Sequence, residues 1–279
     1  MNTMKTRMFR ILKIRDSFEG ESLPEIHLSA PSAEREEKLF FSFPRKERNF
    51  PPSEKLHEIT LSPGELPQQG WYVTHRKDHD CWGKVTRTTS EAIEVSLFRE
   101  VSLEISSYLR FLPPLKGGVV TVSDKGSRGE RQDTSGPALG VFLKRLGVEV
   151  SRSIIVPDEK EKIREVLLDW AEHDDPCHLI LLTGGTGLSS RDVTPEVLLE
   201  IGEKIIPGIG EYMRLSSAER NRRSILSRGL GVLRKKALLL CLPGSRRGAL
   251  ECVTAVAPAL RHAVEIAQGW GGECGHDHS

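Results

Sequence analysis

Two carboxylates and a glycine-rich run carry the first recognisable chemistry in this sequence. Thr183, Gly184, Gly185, Thr186 and Gly187 follow an apolar run at 178–182, and Arg191, Asp192, Val193, Thr194, Pro195 and Glu196 come shortly after. A loop without side chains lets backbone N–H groups approach an anionic or planar ligand and cradle phosphate oxygens. A tight turn is the competing reading, and the loop alone names no ligand. No Gly-Lys-Ser/Thr follows it, as a Walker loop requires, and its spacing does not fit a dinucleotide fingerprint.

Asp158 and Asp192 are the carboxylates of interest. Asp158 precedes a helical stripe, so it serves either as an N-cap, worth about 1 kcal/mol, or as a ligand. Asp192 is free of that duty, because Thr194 as N-cap and Pro195 at the first helical position account for the helix start. A carboxylate beside a phosphate-accepting loop repels its ligand unless a cation bridges them. Mg²⁺ does so, using one or two carboxylates and the substrate phosphates. The pair therefore points to a metal–nucleotide complex.

The elements that must position these residues are legible in the hydrophobic pattern. Runs at 118–123, 148–156, 178–182 and 237–242 are apolar or strand-like. Leu139, Phe142, Leu143 and Leu146 fall at helical spacing before Gly147, Ile163, Val166, Leu167 and Trp170 form a second stripe, and Leu250, Val253, Ala257, Leu260 and Val264 a third. Strands without alternation, interleaved with amphipathic helices, predict a three-layer α/β/α fold with a largely parallel sheet. Ligands bind such sheets outside the carboxyl ends of the strands. There the sequence places Ser123 and Asp124, then Asp158, then the glycine loop, then Pro243, Gly244 and Ser245. Their convergence on one edge is stronger than any single motif.

Before about residue 115 the pattern differs. Short segments at 8–14, 38–43, 56–61 and 93–98, separated by Pro and Gly clusters, predict a small mainly-β domain, a barrel or sandwich. The expected division is 1–112 for this domain, 116–270 for the α/β domain and 271–279 for a flexible tail. The 279 residues suit two domains. They are 38% hydrophobic and 28% charged, enough apolar material for a core and too much for a disordered chain. Lys plus Arg number 40 and Asp plus Glu 39, a balance that argues against bulk affinity for nucleic acid or an anionic membrane. The longest apolar runs fall far short of the ~20 residues of a membrane span. Five scattered cysteines with no Cys-x-x-Cys predict a reduced, cytoplasmic protein rather than a disulfide framework.

With these residues in view, the sequence resembles the molybdopterin adenylyltransferases, the MoaB/Mog-type enzymes of molybdenum cofactor biosynthesis. The resemblance rests on Thr121-Val122-Ser123-Asp124, Asp133-Thr134-Ser135-Gly136, the glycine loop, Arg191 to Glu196, Pro207-Gly208-Ile209-Gly210-Glu211-Tyr212-Met213-Arg214, ILSRGLGVLRK at 225–235 and LPGS at 242–245, in the family's order. It covers about 116–270 and leaves the N-terminal region unrecognised. It implies Mg²⁺-dependent transfer of AMP from ATP to the terminal phosphate of molybdopterin, with release of pyrophosphate. Asp158 and Asp192 are then the essential, metal-holding carboxylates. Ser123, Asp124, Thr183, Gly184, Gly185, Thr186, Gly187, Glu211, Pro243, Gly244 and Ser245 are the substrate contacts. A homotrimer and a molybdate insertase partner follow from the same resemblance. The alternative is a non-catalytic molybdopterin-binding scaffold that docks through the N-terminal domain. One departure stands out: LPGS continues as Arg246-Arg247-Gly248, more basic than the family pattern leads one to expect.

Other signals weigh less. Arg191 and Arg246 are candidates for the outer phosphates, with surface ion pairs as the competing reading. His75, Asp78, Asp80, His79 and Cys81 have zinc-ligand chemistry without a completing pair, and Cys274, His276 and His278 sit in the tail. The basic run from Arg220 to Lys236 reads as a solvated helix face, with ATP or a partner subunit as its competing use. Cys177 and Cys241 read as small core residues.

Overall fold

The computed structural model describes residues 8–15, 25–29, 57–60, 67–75, 80–88, 92–97 and 109–270. The chain divides into two compact units, Met1–Pro114 and Leu115–Ser279.

In the first unit the strands are β1 (Met8–Arg15), β2 (Glu25–Ser29), β3 (His57–Thr60), β4 (Tyr72–His75), β5 (Gly83–Thr88), β6 (Ala92–Leu97) and β7 (Leu109–Leu112). They form one sheet in the order β3-β1-β2-β6-β5-β4-β7, with every pair antiparallel. Tyr72, Cys81 and Leu112 pack together among its buried residues. The strand expected at 38–43, and the residues Asp78 and His79, lie outside the described residues.

The second unit runs β8 (Leu115–Val122), α1 (Asp124–Ser127), α2 (Ser135–Arg145), β9 (Val148–Val156), α3 (Lys160–Glu172), β10 (Leu179–Thr183), α4 (Thr194–Ile201), β11 (Lys204–Ile206), α5 (Pro207–Ala218), β12 (Leu230–Arg234), β13 (Ala237–Leu242) and α6 (Arg246–Gln268). The sheet order is β11-β12-β13-β10-β8-β9. β13, β10, β8 and β9 are parallel to one another, and β12 and β11 extend the sheet antiparallel.

The two faces of the central strands explain their unbroken apolar runs. Leu179, Leu181, Leu238, Leu240 and Leu242 pack on one side with Leu139 and Leu143 of α2, Met213 of α5 and Val253 and Leu260 of α6. Ile180, Leu182, Leu239 and Cys241 pack on the other with Ile163, Leu167 and Trp170 of α3 and Val197 and Leu198 of α4. Successive side chains of a strand point to opposite faces, so a strand covered on both sides is apolar at every position. The fold is a three-layer α/β/α sandwich on a largely parallel sheet.

The strand expected at 148–156 is β9, and two features of the sheet lie beyond the hydrophobic pattern. Among the described strands β9 is at the edge, paired with β8 alone, and Val150, Ile154 and Ile155 along it are exposed. The antiparallel β11 and β12 escape the hydrophobic pattern because each is short and flanked by charge. α2 ends as its pattern predicts, with Gly147 left-handed at φ 73° just past the helix.

Candidate functional site

The loops at the carboxyl ends of β8, β9, β10 and β13 enclose a cleft of about 400 Å³. Ser123, Asp158, Asp192, Gly184, Gly185 and Gly244 are among its walls, together with Thr183 and Ser245. Thr121, Arg131, Gln132, Asp133 and Ser135 line it too and lie outside the expected set. The Asp133-Thr134-Ser135-Gly136 motif is the signal that points to part of this wall.

The β8 and β9 corner is built by hydrogen bonds between loops. Ser123 caps α1, its Oγ accepting from the Gly126 amide at 3.0 Å. The Asp124 amide donates to Asp158 Oδ2 at 2.9 Å, and the Asp158 amide donates to Asp124 Oδ1 at 3.1 Å. Asp158 is thus not the N-cap of α3: that position is Glu159, without a side-chain cap. Asp124 also takes a bidentate grip from Arg191, with Nη2 2.8 Å from Oδ1 and Nε 3.1 Å from Oδ2. The Arg191 guanidinium holds the Asp124 carboxyl below its ordinary range. Asp124 itself does not line the cleft, because its carboxylate is turned to these partners.

Asp158 is shifted the other way. Burial pushes its carboxyl up, and the facing charges of Asp124 and Asp192 add to the rise. Ionised, it sits beside like charge, which is the electrostatic condition a bound cation relieves. Asp192 accepts from the Ser189 amide at 2.8 Å through Oδ2. Among the described residues no set of three or more His, Cys, Asp or Glu converges as a metal cage. The donors at hand are carboxylate oxygens from Asp158 and Asp192. That set fits Mg²⁺, which typically keeps waters and takes substrate phosphates as its other ligands.

The glycine loop is held from behind. Thr183 Oγ1 donates to Pro243 O at 2.8 Å, the Gly184 amide to Leu242 O at 3.1 Å and Thr194 Oγ1 to Gly184 O at 2.9 Å. Gly184 and Gly185 adopt φ of 108° and 64°, conformations that side chains disfavour. The Gly184 amide is therefore committed, while the Gly185 amide meets no protein acceptor among the described residues. Thr194 is not the N-cap of α4, which is Val193; its hydroxyl braces the loop instead.

Five expected contacts fall outside the cleft wall: Asp124, already placed, and Thr186, Gly187, Glu211 and Pro243. Thr186 is buried, its Oγ1 directed to Leu242 O at 3.5 Å. Gly187 packs against the Asp192 carboxylate, and Glu211 stands exposed on α5. Pro243 faces an adjoining cavity of about 220 Å³, which shares Ser245 with the cleft and includes Arg214 and Arg223. Asp133 caps α2: Oδ1 accepts from the Ser135 and Gly136 amides at 2.9 Å each, and Oδ2 from Thr121 Oγ1 at 2.6 Å. Ser245 caps α6, accepting from the Gly248 amide at 3.2 Å. Both α2 and α6 therefore begin at the cleft, with their positive dipole ends toward it.

Arg246 is exposed and off the cleft wall, and Arg247 pairs with Glu251 at 2.8 Å. The basic run is not one solvated face. It spans a 3₁₀ turn and β12, where Arg234 pairs with Glu172 and Glu203 and Arg228 turns inward. Cys177 and Cys241 are core residues, and burial pushes the Cys241 thiol up to about 12. Cys81 is buried, and Cys274, His276 and His278 lie outside the described residues.

A sandwich of this architecture, with its cleft at the carboxyl edge of a parallel sheet, defines an α/β protein of the ligand-binding, doubly covered class. Residues 118–262 match the family described as "Probable molybdopterin binding domain", and the chain belongs to that family. It is 40% identical over 153 residues to the molybdopterin adenylyltransferase of Escherichia coli K12, covering 54% of this chain and 77% of that one. Against the molybdopterin adenylyltransferase of Helicobacter pylori J99 the identity is 36% over 154 residues, covering 54% of this chain and 87% of that one. Among solved structures, the molybdopterin biosynthesis enzyme MoaB of Thermus thermophilus superposes with a TM-score of 0.53 at 44% identity, covering 56% of this chain and 97% of that one. The tungsten cofactor synthesizing protein MoaB of Pyrococcus furiosus gives 0.51 at 31%, covering 56% and 98%. No helix among the described residues is long and apolar enough to cross a membrane.

Proposed function

We propose that this chain is a molybdopterin adenylyltransferase of molybdenum cofactor biosynthesis, using Mg²⁺ and ATP. The observation that carries the reading is the cleft itself. Two carboxylates, Asp158 and Asp192, stand beside a glycine turn whose Gly185 amide is uncommitted, with two helix N-termini opening beside it.

In the reaction a terminal phosphate oxygen of molybdopterin attacks the α-phosphorus of ATP. The bond from that phosphorus to the oxygen bridging to the β-phosphate breaks, and pyrophosphate leaves with the electron pair. Such transfers depend on positioning and charge neutralisation, with no covalent nucleophile required. Asp158 and Asp192 are the residues that hold Mg²⁺. When bound, it neutralises phosphate charge and lets the polyphosphate lie beside carboxylates. The Gly185 amide and the α2 and α6 N-termini donate to phosphate oxygens. Ser123, Gly244 and Ser245 line the walls that orient the two substrates, and the Asp124–Arg191 pair closes one corner.

We assign the chemistry to 116–270 and treat 1–112 as a separate domain. A cytoplasmic location and a homotrimer belong to the same proposal. Exposed Tyr212, Leu215, Ile225 and Leu226 supply apolar contact surface for the trimer, and a molybdate insertase is the partner that takes the adenylylated product.

The test is pyrophosphate release from ATP by the full chain with purified molybdopterin and Mg²⁺. Stoichiometric pyrophosphate supports the transferase. Tight pterin binding without release turns the reading into that of a scaffold.

A further inference from the structure

Arg228 precedes β12, within the basic run whose sequence reads first as a solvated surface. In the structure it reaches back through four separate bonds, two to the glycine loop, one to Asp192 and one to α4. Its amide donates to Thr186 O at 3.1 Å, Nε donates to Gly187 O at 2.8 Å, and Nη2 donates to Asp192 O at 2.7 Å. Nη1 pairs with the Glu196 carboxylate on α4.

One guanidinium therefore grips both ends of the segment 187–192 and the helix that follows it. The segment is closed from within as well, since the Asp192 amide donates to Ser189 O at 3.0 Å while its carboxylate accepts from the Ser189 amide. Burial pushes the Glu196 carboxyl up, but the Arg228 hydrogen bond and charge, together with the residue's own amide and Lys160, hold it below its ordinary range. The pairing is made through Glu196 Oε1, while the buried Oε2 has no hydrogen-bond partner among the described residues. A lysine, with one point charge and no planar fork, cannot serve two carbonyls and a carboxylate together.

We infer that Arg228 is a positioning residue: it clamps the loop that carries Asp192 and so sets where that carboxylate stands in the cleft. The inference rests on the proposed role of Asp192. Misplacing a reacting group by about 1 Å can cost on the order of 100-fold in rate, so a clamp of this kind acts on turnover more than on substrate affinity.

The experiment compares Arg228→Lys, Glu196→Gln, Asp192→Asn and the doubles Asp192→Asn/Arg228→Lys and Asp192→Asn/Glu196→Gln in the full chain. Readouts are kcat, KM for molybdopterin, the Mg²⁺ concentration for half-activation and the melting temperature. Arg228→Lys is expected to lower kcat by about 10–100-fold, to raise the Mg²⁺ requirement and to leave KM within about twofold. Added to Asp192→Asn it should cost nothing more, because two changes acting through one group are non-additive. If Arg228→Lys does not fold, Glu196→Gln and its double make the same comparison. A kcat within twofold for Arg228→Lys, beside a collapsed Asp192→Asn, overturns the clamp and leaves the Asp192 assignment standing. Additive losses in the double also overturn it. A fully active Asp192→Asn removes the Asp192 assignment and the clamp with it.

Discussion

Asp124 and Asp158 hold each other by the main chain and the side chain at once, each amide donating to the other's carboxylate at 2.9 and 3.1 Å. The pair locks the ends of β8 and β9 in register and leaves Asp158 facing the cleft with two other carboxylates nearby. A cleft so arranged is strained electrostatically until it is filled.

That strain has a measurable sign. Asp158 has a raised carboxyl in the folded protein. Stability tied to its neutral form is present below the unfolded value of about 3.9 and is lost as pH rises through the folded value. Asp158→Asn keeps an oxygen to accept from the Asp124 amide and removes the charge. It is expected to raise the melting temperature near neutral pH, with the gain fading as pH falls toward about 4, while turnover drops at least ~100-fold. A melting temperature unchanged or lowered at neutral pH contradicts this account.

Asp192→Ala separates turnover from affinity. Metal-held charge stabilisation of the reacting phosphates is lost, so kcat should fall by on the order of 100–1,000-fold. Pterin affinity, measured by titration, should stay within a few-fold. Equal losses in both assign Asp192 to ground-state binding instead.

Alanine at Gly185 should damage both fold and function. The position has φ 64° and an added Cβ meets Thr194 and Asp158. The left-handed backbone alone costs about 1–2 kcal/mol for an L side chain, or about 2–4 °C of melting temperature per kcal/mol. Gly208→Ala is the control: a Cβ there meets nothing within 4 Å. Equal melting temperatures for the two variants would remove the special conformation of the loop as a requirement.

Metal removal tests the charge balance directly. With EDTA in excess, ATP affinity measured by calorimetry should fall at least about tenfold, because the triphosphate then faces uncompensated carboxylates. Asp158→Asn/Asp192→Asn should lose that EDTA sensitivity. Nucleotide binding indifferent to chelation in the unmodified chain refutes the metal-holding role.

Much of the architecture is written locally. Apolar runs without alternation mark β10 and β13 as strands covered on both faces, and the stripes of α2, α3 and α6 mark what covers them. Their order alone places Asp158, Asp192 and the glycine loop on one edge of the sheet. Side-chain periodicity is a property of neighbouring residues, so the chain suffices for this.

Which polar groups face the cleft depends on pairing between distant segments. Thr183 stands opposite Leu242 in the β10–β13 ladder, so its hydroxyl reaches Pro243 O. Thr186 is drawn inward and Glu211 is carried out on α5. Arg228 is the sharpest case. In a run of basic residues it looks like its neighbours, and only the register of β12 on β13 carries it to the carbonyls of Gly187 and Asp192. Composition and spacing determined the layers and the edge of the sheet where the cleft lies. Tertiary structure decided which donors are already satisfied, because a hydrogen bond between residues 36 positions apart leaves no trace in either local pattern.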